Sequence, residues 1–183
     1  MLIRKEKYII RGVNIIDIIN GDVDSNKDVL IIDGRISRIA KNLTLQESIY
    51  EIEGQDKYLL PGLFNMHTHA TKANDYFLCL ANGVTSVRHM WGSNHMLSLK
   101  EEFGKKPYLG PNIYASSAGF EQPPSNWPGT NLIQSKVEIR PLVLEQVNAG
   151  YLFLKVYENI SRENYLELLA QSRAENIQLV GHI

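Results

Sequence analysis

The chain has 183 residues, 44% hydrophobic and 21% charged, a balance that excludes a disordered or fibrous protein and leaves enough apolar mass for a core. Nineteen basic residues against twenty acidic ones give a net charge of -1, so nothing in the charge balance points to a nucleic acid or an anionic membrane, and a small-molecule ligand is expected. The single cysteine, Cys79, excludes an intrachain disulfide framework and fits a reducing, cytoplasmic setting.

The start, "MLIRKEKYIIRGVNIIDIING", places basic residues before apolar ones, but Arg11, Asn14 and Asp17 interrupt the run, which reads as neither a signal peptide nor a span. Short strands follow up to residue 60: "YIIRGVNIIDII", "DVLIIDGRISRIA" and "IYEIEGQDKYLL". Asp33-Gly34 between β-branched runs signals a hairpin, and Gly54-Gln55 a further turn. Residues 1–60 are therefore expected to form a small β domain.

From Leu63 the pattern alternates apolar strands with helical segments: "LFNMH", "DYFLCLANG", "VTSVRHM", "NIYASSAGF", "YLFLKVY", "SRENYLELLAQSRAENI" and "QLVGHI". Such alternation implies βαβ units and a parallel sheet. The clearest helix runs from Arg162 to Glu175, with Ser161 as N-cap and Tyr165, Leu168, Leu169 and Ser172 on one face. The three prolines and the glycine of the loop "EQPPSNWPGTN" argue against regular structure there, before the next helix, and loops of this kind often cover sites.

Side chains two apart on a strand point to one side, so His67 and His69 face together. Two converging neutral imidazoles suit a transition metal, whereas a bare His-x-His also occurs on solvated strand ends. Lys155, inside the apolar "YLFLKVYEN", is either buried and driven towards its neutral amine, or snorkels to solvent or pairs with Glu158. His182 in "LVGHI" is either an ordinary strand-tip residue or a fourth member of one site. All four residues fall at the carboxyl ends of expected parallel strands, where α/β proteins place their active sites.

The segments "LLPGLFNMHTH", "LANGVTSVRHMWG", "KVYENISRENYLELLAQSRAENI" and "LVGHI" resemble the amidohydrolase superfamily, on the branch of imidazolonepropionase and metal-dependent Xaa-Pro dipeptidases. The first resembles that family's Pro-Gly-hydrophobic-x-Asp-x-His-x-His signature, and "DVLIIDGRISRIA" matches its small β domain. The resemblance implies an α/β protein, an incomplete TIM-like (β/α)8 barrel of about five strands over residues 61–183, preceded by half of a composite β-sandwich. It further implies one or two divalent metals, zinc foremost, held by His67, His69, Lys155 and His182. Lys155 would be carboxylated by carbon dioxide, its carbamate bridging both metals, and Tyr157 would contact substrate. Asn65 stands where the family has Asp, and His89 where "VRDM" is familiar; His89 and His95 are expected to be supporting or surface residues.

The family's sixth-strand histidine and eighth-strand aspartate have no counterpart in the sequence, so the expectation is the amino-terminal portion of a longer enzyme. Leu63, Val87, Ile113 and Leu154 are expected to face the barrel interior, and homo-oligomers to cover open strand edges. The implied activity is hydrolysis, through a metal-activated water, of carbon-nitrogen bonds other than protein peptide bonds: a cyclic amide, a dipeptide or an N-acyl compound. The alternative is a catalytically inactive metal-binding or interaction module.

Overall fold

The structure, a computed structural model, describes residues 7–182; the basic start of the amino-terminal segment, residues 1–6, lies outside the described residues. The chain divides into two compact units, Met1–Pro61 and Gly62–Ile183.

The first unit is a mixed sheet organised around its longest β-branched run. Strand β1 (Lys7–Ile16) pairs antiparallel with β2 (Val23–Ile32), which continues into β3 (Arg35–Ala40). The β2–β3 turn is Asp33-Gly34, with φ of 50° and 74°. Two consecutive positive φ values match a two-residue hairpin to the twist of its strands, and glycine reaches them without a steric cost. The turn expected at Gly54-Gln55 divides the third segment into β4 (Tyr50–Glu53) and β5 (Tyr58–Leu59). Both run parallel to β1, separated by a turn that the Lys57 N–H closes on the Gly54 carbonyl at 3.0 Å.

The expected first strand ran on to Ile19 but ends at Ile16, because the Asp17 carboxylate accepts the Ile19 N–H at 2.8 Å and turns the chain. A register shift between Ile10 and Val13 has a larger effect. Ile9 packs with Leu30 and Leu43, whereas Val13 packs with Val29 and Ile31. Leu30 and its two neighbours point to opposite faces of β2, so the shift moves β1's apolar residues from one face to the other.

The second unit is α/β. Its five-stranded parallel sheet has the order β6 (Leu63–Thr68), β7 (Val84–His89), β8 (Asn112–Glu121), β10 (Phe153–Val156), β11 (Gln178–Gly181), with the short β9 (Asn131–Leu132) beside β8. Successive strands are neighbours, and α1 (Ala73–Ala81), α2 (Asn94–Lys105), α3 (Ile139–Ala149) and α4 (Arg162–Ala174) make the crossovers. The capping of α4 is as expected: Ser161 Oγ accepts the Asn164 N–H at 3.3 Å, and Leu168 and Ser172 are buried.

Helix α2 was not anticipated from the sequence. Its signals are nonetheless local: Ser93 Oγ accepts the Met96 N–H, and the buried Met96, Leu99 and Phe103 recur at helical spacing. Lys100, Glu101 and Glu102 lower the average hydrophobicity of the segment and mask the stripe.

Helices and sheet share two apolar clusters, one around Tyr76, Val87, Phe103 and Ile113, the other around Phe120, Ile139, Val143, Leu154 and Leu168. Val87, Ile113 and Leu154 therefore point at the helices and not at a barrel interior, while Leu63 is exposed. Period-two alternation then sends Arg88, Tyr114 and Lys155 to the other face of the sheet. No helix among the described residues is long and apolar enough to cross a membrane.

Candidate functional site

The His-Thr-His segment straddles the carboxyl end of β6. His67 lies within the strand, His69 one residue past its end, and their Nε2 atoms are 3.0 Å apart. Asn65 contributes locally, its side-chain oxygen accepting the His67 N–H at 3.1 Å. Both imidazoles are held below the ordinary histidine pKa, His67 by desolvation and then by Lys155, His182 and Arg88, His69 by desolvation and then by His67, Lys155 and His182. Two nearly touching ring nitrogens cannot both carry protons at low cost, so at least one of the pair presents a lone pair. Two nitrogens on one tetrahedral zinc stand about 3.3 Å apart for bonds of about 2.0–2.1 Å. The observed separation fits such an ion within a few tenths of an ångström.

Lys155, in the third position of β10, has no solvent exposure. Its backbone N–H is satisfied by Ser117 Oγ at 3.0 Å, where the β8–β10 register shifts. Its Nζ has no hydrogen-bond partner among the described residues. Desolvation, followed by the charge of Arg88, lowers its pKa. The Tyr157 ring lies 5.6 Å from Nζ, a cation–π contact worth about 0.5–1 kcal/mol, too little to offset burial of an unpaired ammonium. The pairing with Glu158 considered from sequence is not made, because Glu158 faces His182.

His182 directly follows β11, and its Nδ1 lies 3.2 Å from Glu158 Oε1. With Nδ1 engaged, Nε2 is the ring nitrogen that remains for a further contact. Its ring packs 4.5 Å from that of Tyr157. Among the described residues no three His, Cys, Asp or Glu side chains are grouped closely enough to hold a metal, so His182 does not join the His67–His69 pair in one cluster.

His89 is buried between Tyr76, whose hydroxyl lies 3.3 Å from Nδ1, and the Trp91 carbonyl, 2.7 Å from Nε2. Burial takes its pKa down to about 4, against the pull of the Trp91 carbonyl. The ring stands 6.2 Å from that of His69 and supports the wall behind it. His95 is exposed, with Nε2 3.0 Å from the Thr71 carbonyl.

A cavity of about 440 Å³ opens beside these groups, lined by His69, Thr71, His89, Trp91, Trp127, Pro128, Tyr157 and His182. Tyr157 and the proline-rich loop were expected at a pocket; Trp91 was not. A tryptophan two residues past the end of a parallel strand was the available signal.

The strand order and the crossovers define an α/β fold with a parallel sheet, and the histidine pair lies at the carboxyl end of its first strand. No family model matches the chain. Solved structures that it resembles include bottromycin amidohydrolase, with a TM-score of 0.81 at 21% identity, covering 99% of this chain and 40% of that one. A Xaa-Pro dipeptidase with methionine in its active site gives 0.82 at 18% identity, covering 96% of this chain and 56% of that one. Among curated proteins, 49 residues are 43% identical to a 5-methylthioadenosine/S-adenosylhomocysteine deaminase of Dictyoglomus turgidum, covering 27% of this chain and 12% of that protein. A stretch of 67 residues is 34% identical to an N-acetylglucosamine-6-phosphate deacetylase of Lysinibacillus sphaericus, covering 37% of this chain and 16% of that protein. The chain thus resembles the amidohydrolase superfamily in both sequence and fold, and spans about half the length or less of these solved structures. A deaminase, a deacetylase, a dipeptidase and an amidohydrolase are all hydrolases of carbon-nitrogen bonds.

Proposed function

We propose that this chain carries the early-strand part of a metal-dependent hydrolase acting on carbon-nitrogen bonds other than protein peptide bonds, in a cyclic amide, a dipeptide or an N-acyl compound. The observation that carries the reading is the buried, unpartnered Lys155 amine on a strand neighbouring β11, in a sheet whose first strand ends in the paired His67 and His69. His67, His69, Lys155 and His182 would hold one or two divalent ions, zinc being favoured by the imidazole donors. When bound, such an ion supplies Lewis acidity, polarising the substrate carbonyl and acidifying a water.

The residues' own parts follow from their surroundings. Desolvation favours the neutral, metal-ligating forms of His67 and His69. Burial shifts the Lys155 amine towards its neutral form, in which its nitrogen can form a bond to the carbon of carbon dioxide and release a proton to solvent. The resulting carbamate is an anion with two oxygens, where an ammonium would repel a cation. Glu158 orients His182 and fixes its tautomer. Tyr157, between Lys155 and His182, would contact the substrate. The wider reading includes an incomplete TIM-like barrel after half of a β-sandwich, cytoplasmic residence, a small-molecule substrate and a homo-oligomer.

A catalytically inactive fragment, acting at most as a metal-binding or interaction module, is the second reading, because the chain spans 40% and 56% of the two solved structures that it resembles. Zinc content and turnover of an amide and dipeptide panel, measured on the same sample, separate the two. His67→Ala and His69→Ala should each weaken zinc binding by more than about 100-fold, since loss of a supporting residue alone costs 10–100-fold. Unchanged zinc content by elemental analysis in both variants would exclude the site.

A further inference from the structure

The substrate class of this site can be narrowed, on the reading that it is a hydrolase. We propose that Trp91, Trp127 and Tyr157 form an aromatic wall that receives an uncharged, apolar ring of the substrate beside the carbon-nitrogen bond to be cut. The three rings pack mutually, with centroids 5.7 Å apart for Trp91–Trp127, 5.5 Å for Trp91–Tyr157 and 5.7 Å for Trp127–Tyr157, the last two edge to face. Aromatic rings bind other rings in such tilted geometries. Trp127 is nevertheless 53% exposed and lines the cavity that also contains His69 and His182. A large apolar side chain held open beside two candidate metal ligands leaves apolar surface for a ligand to cover.

The wall is held in place before any ligand arrives. Trp91 Nε1–H donates to the Pro128 carbonyl at 3.1 Å, tying the strand-end ring to the loop. The Trp127 N–H donates to Ser125 Oγ at 3.3 Å, Ser125 Oγ donates to Glu121 at 2.6 Å, and Thr130 Oγ1 donates to the Trp127 carbonyl at 2.8 Å. Asn159 Nδ2 donates to the carbonyls of Gln122 and Pro124 at 2.8 and 3.0 Å. At Gly119, an added Cβ would stand 2.9 Å from the Trp91 ring and 3.1 Å from Tyr157 Cβ, so the absence of a side chain lets the two rings meet. Preorganisation of this kind lowers the ordering cost of binding.

Charge selects among the ligands that an aromatic wall could take. The cavity lining contains three histidines and no carboxylate, so a cation would find only the ring faces to offset its charge. The nearby acids are engaged: Glu121 accepts from Ser125 and from the Asn159 N–H, and Glu158 faces His182. An uncharged ring fits this lining better than a quaternary ammonium does.

Trp91 and Trp127 are the two tryptophans of the chain, so intrinsic fluorescence reads the wall directly. The chain is titrated with benzamide, acetamide and tetramethylammonium, with and without zinc. Benzamide should give a saturable spectral shift, and the other two should give none. Trp127→Ala should weaken benzamide binding by about tenfold, the scale of one aromatic contact, while Trp127→Phe retains it within about threefold. Gly119→Ala should weaken it by displacing Trp91. Unchanged benzamide affinity in Trp127→Ala, or tighter binding of tetramethylammonium than of benzamide, overturns the wall. Zinc content of the same samples keeps the two readings apart: zinc bound without benzamide recognition removes the wall alone, and benzamide bound without zinc removes the metal site alone.

Discussion

Asp28 of the first unit and Lys155 of the second are both buried ionisable side chains, and the two are treated in opposite ways. Asp28 in the first unit is 7% exposed and fully engaged: it accepts the Gly12 and Leu43 N–H groups at 2.9 Å each and Arg11 Nη1 at 2.8 Å. Burial alone would raise its pKa, but these bonds outweigh it, and the carboxylate is held below its usual range. Arg11 also reaches Glu51 on β4, so the group ties β1, β2, β4 and the chain at Leu43 together. Lys155 in the second unit is completely buried, and its amine has no hydrogen-bond partner among the described residues. A charge surrounded by donors is a structural clasp. A titratable group buried without partners lowers stability and keeps a reactive form available, which is the pattern of functional sites.

The contrast is most severely tested by removing each group. Asp28→Ala should destabilise the protein by on the order of 4 kcal/mol, because it abolishes charge-assisted bonds and leaves buried N–H groups unsatisfied. Chemical denaturation measures this; a loss under about 1 kcal/mol would mean that the clasp is ornamental.

Acid should next separate clasped groups from buried bases. His89 has a folded pKa of about 4 against an ordinary 6.5, so below pH 6.5 the unfolded chain takes up a proton that the folded one refuses. Its contribution is complete above pH 6.5 and is lost between pH 6.5 and about 4, amounting to about 3 kcal/mol. Lower desolvated pKa values at His67 and His69 act in the same direction. Thermal unfolding of metal-free protein across this range should show the decline, and His89→Gln, which can still donate to the Trp91 carbonyl, should flatten it. A slope identical in the variant would assign the acid sensitivity elsewhere.

The smallest effect has the opposite sign. Lys155→Met exchanges an unpartnered amine for an apolar chain of similar length, and should stabilise the metal-free protein by about 1–2 kcal/mol while removing any capacity to form a carbamate. Destabilisation by Lys155→Met would show that the amine has a partner in solution, and the contrast with Asp28 would fall.

Much of this was legible in the residues because it depends on short stretches of backbone. Strand alternation brought His67 and His69 together, Asp33-Gly34 specified the β2–β3 hairpin, Ser161 and the spacing of Leu168 and Ser172 marked α4, and alternating strands and helices predicted a parallel sheet. Helix α2 had the same kind of signal and was masked by its charged face. These features follow from φ/ψ preferences and from periods of 2 and 3.6 residues, which act within one element.

Other features needed the fold. The register shift that turns β1's apolar residues to opposite faces, the helix-facing direction of Val87, Ile113 and Leu154, the contact of Glu158 with His182, and the meeting of Trp91, Trp127 and Tyr157 all join residues distant in sequence. A lysine in an apolar strand left open whether its amine reaches water or a carboxylate. Only the packing of β8, β10 and their helices decided that it reaches neither, because burial and partnership are set by what the rest of the chain places around a group, and local backbone preference carries no record of that.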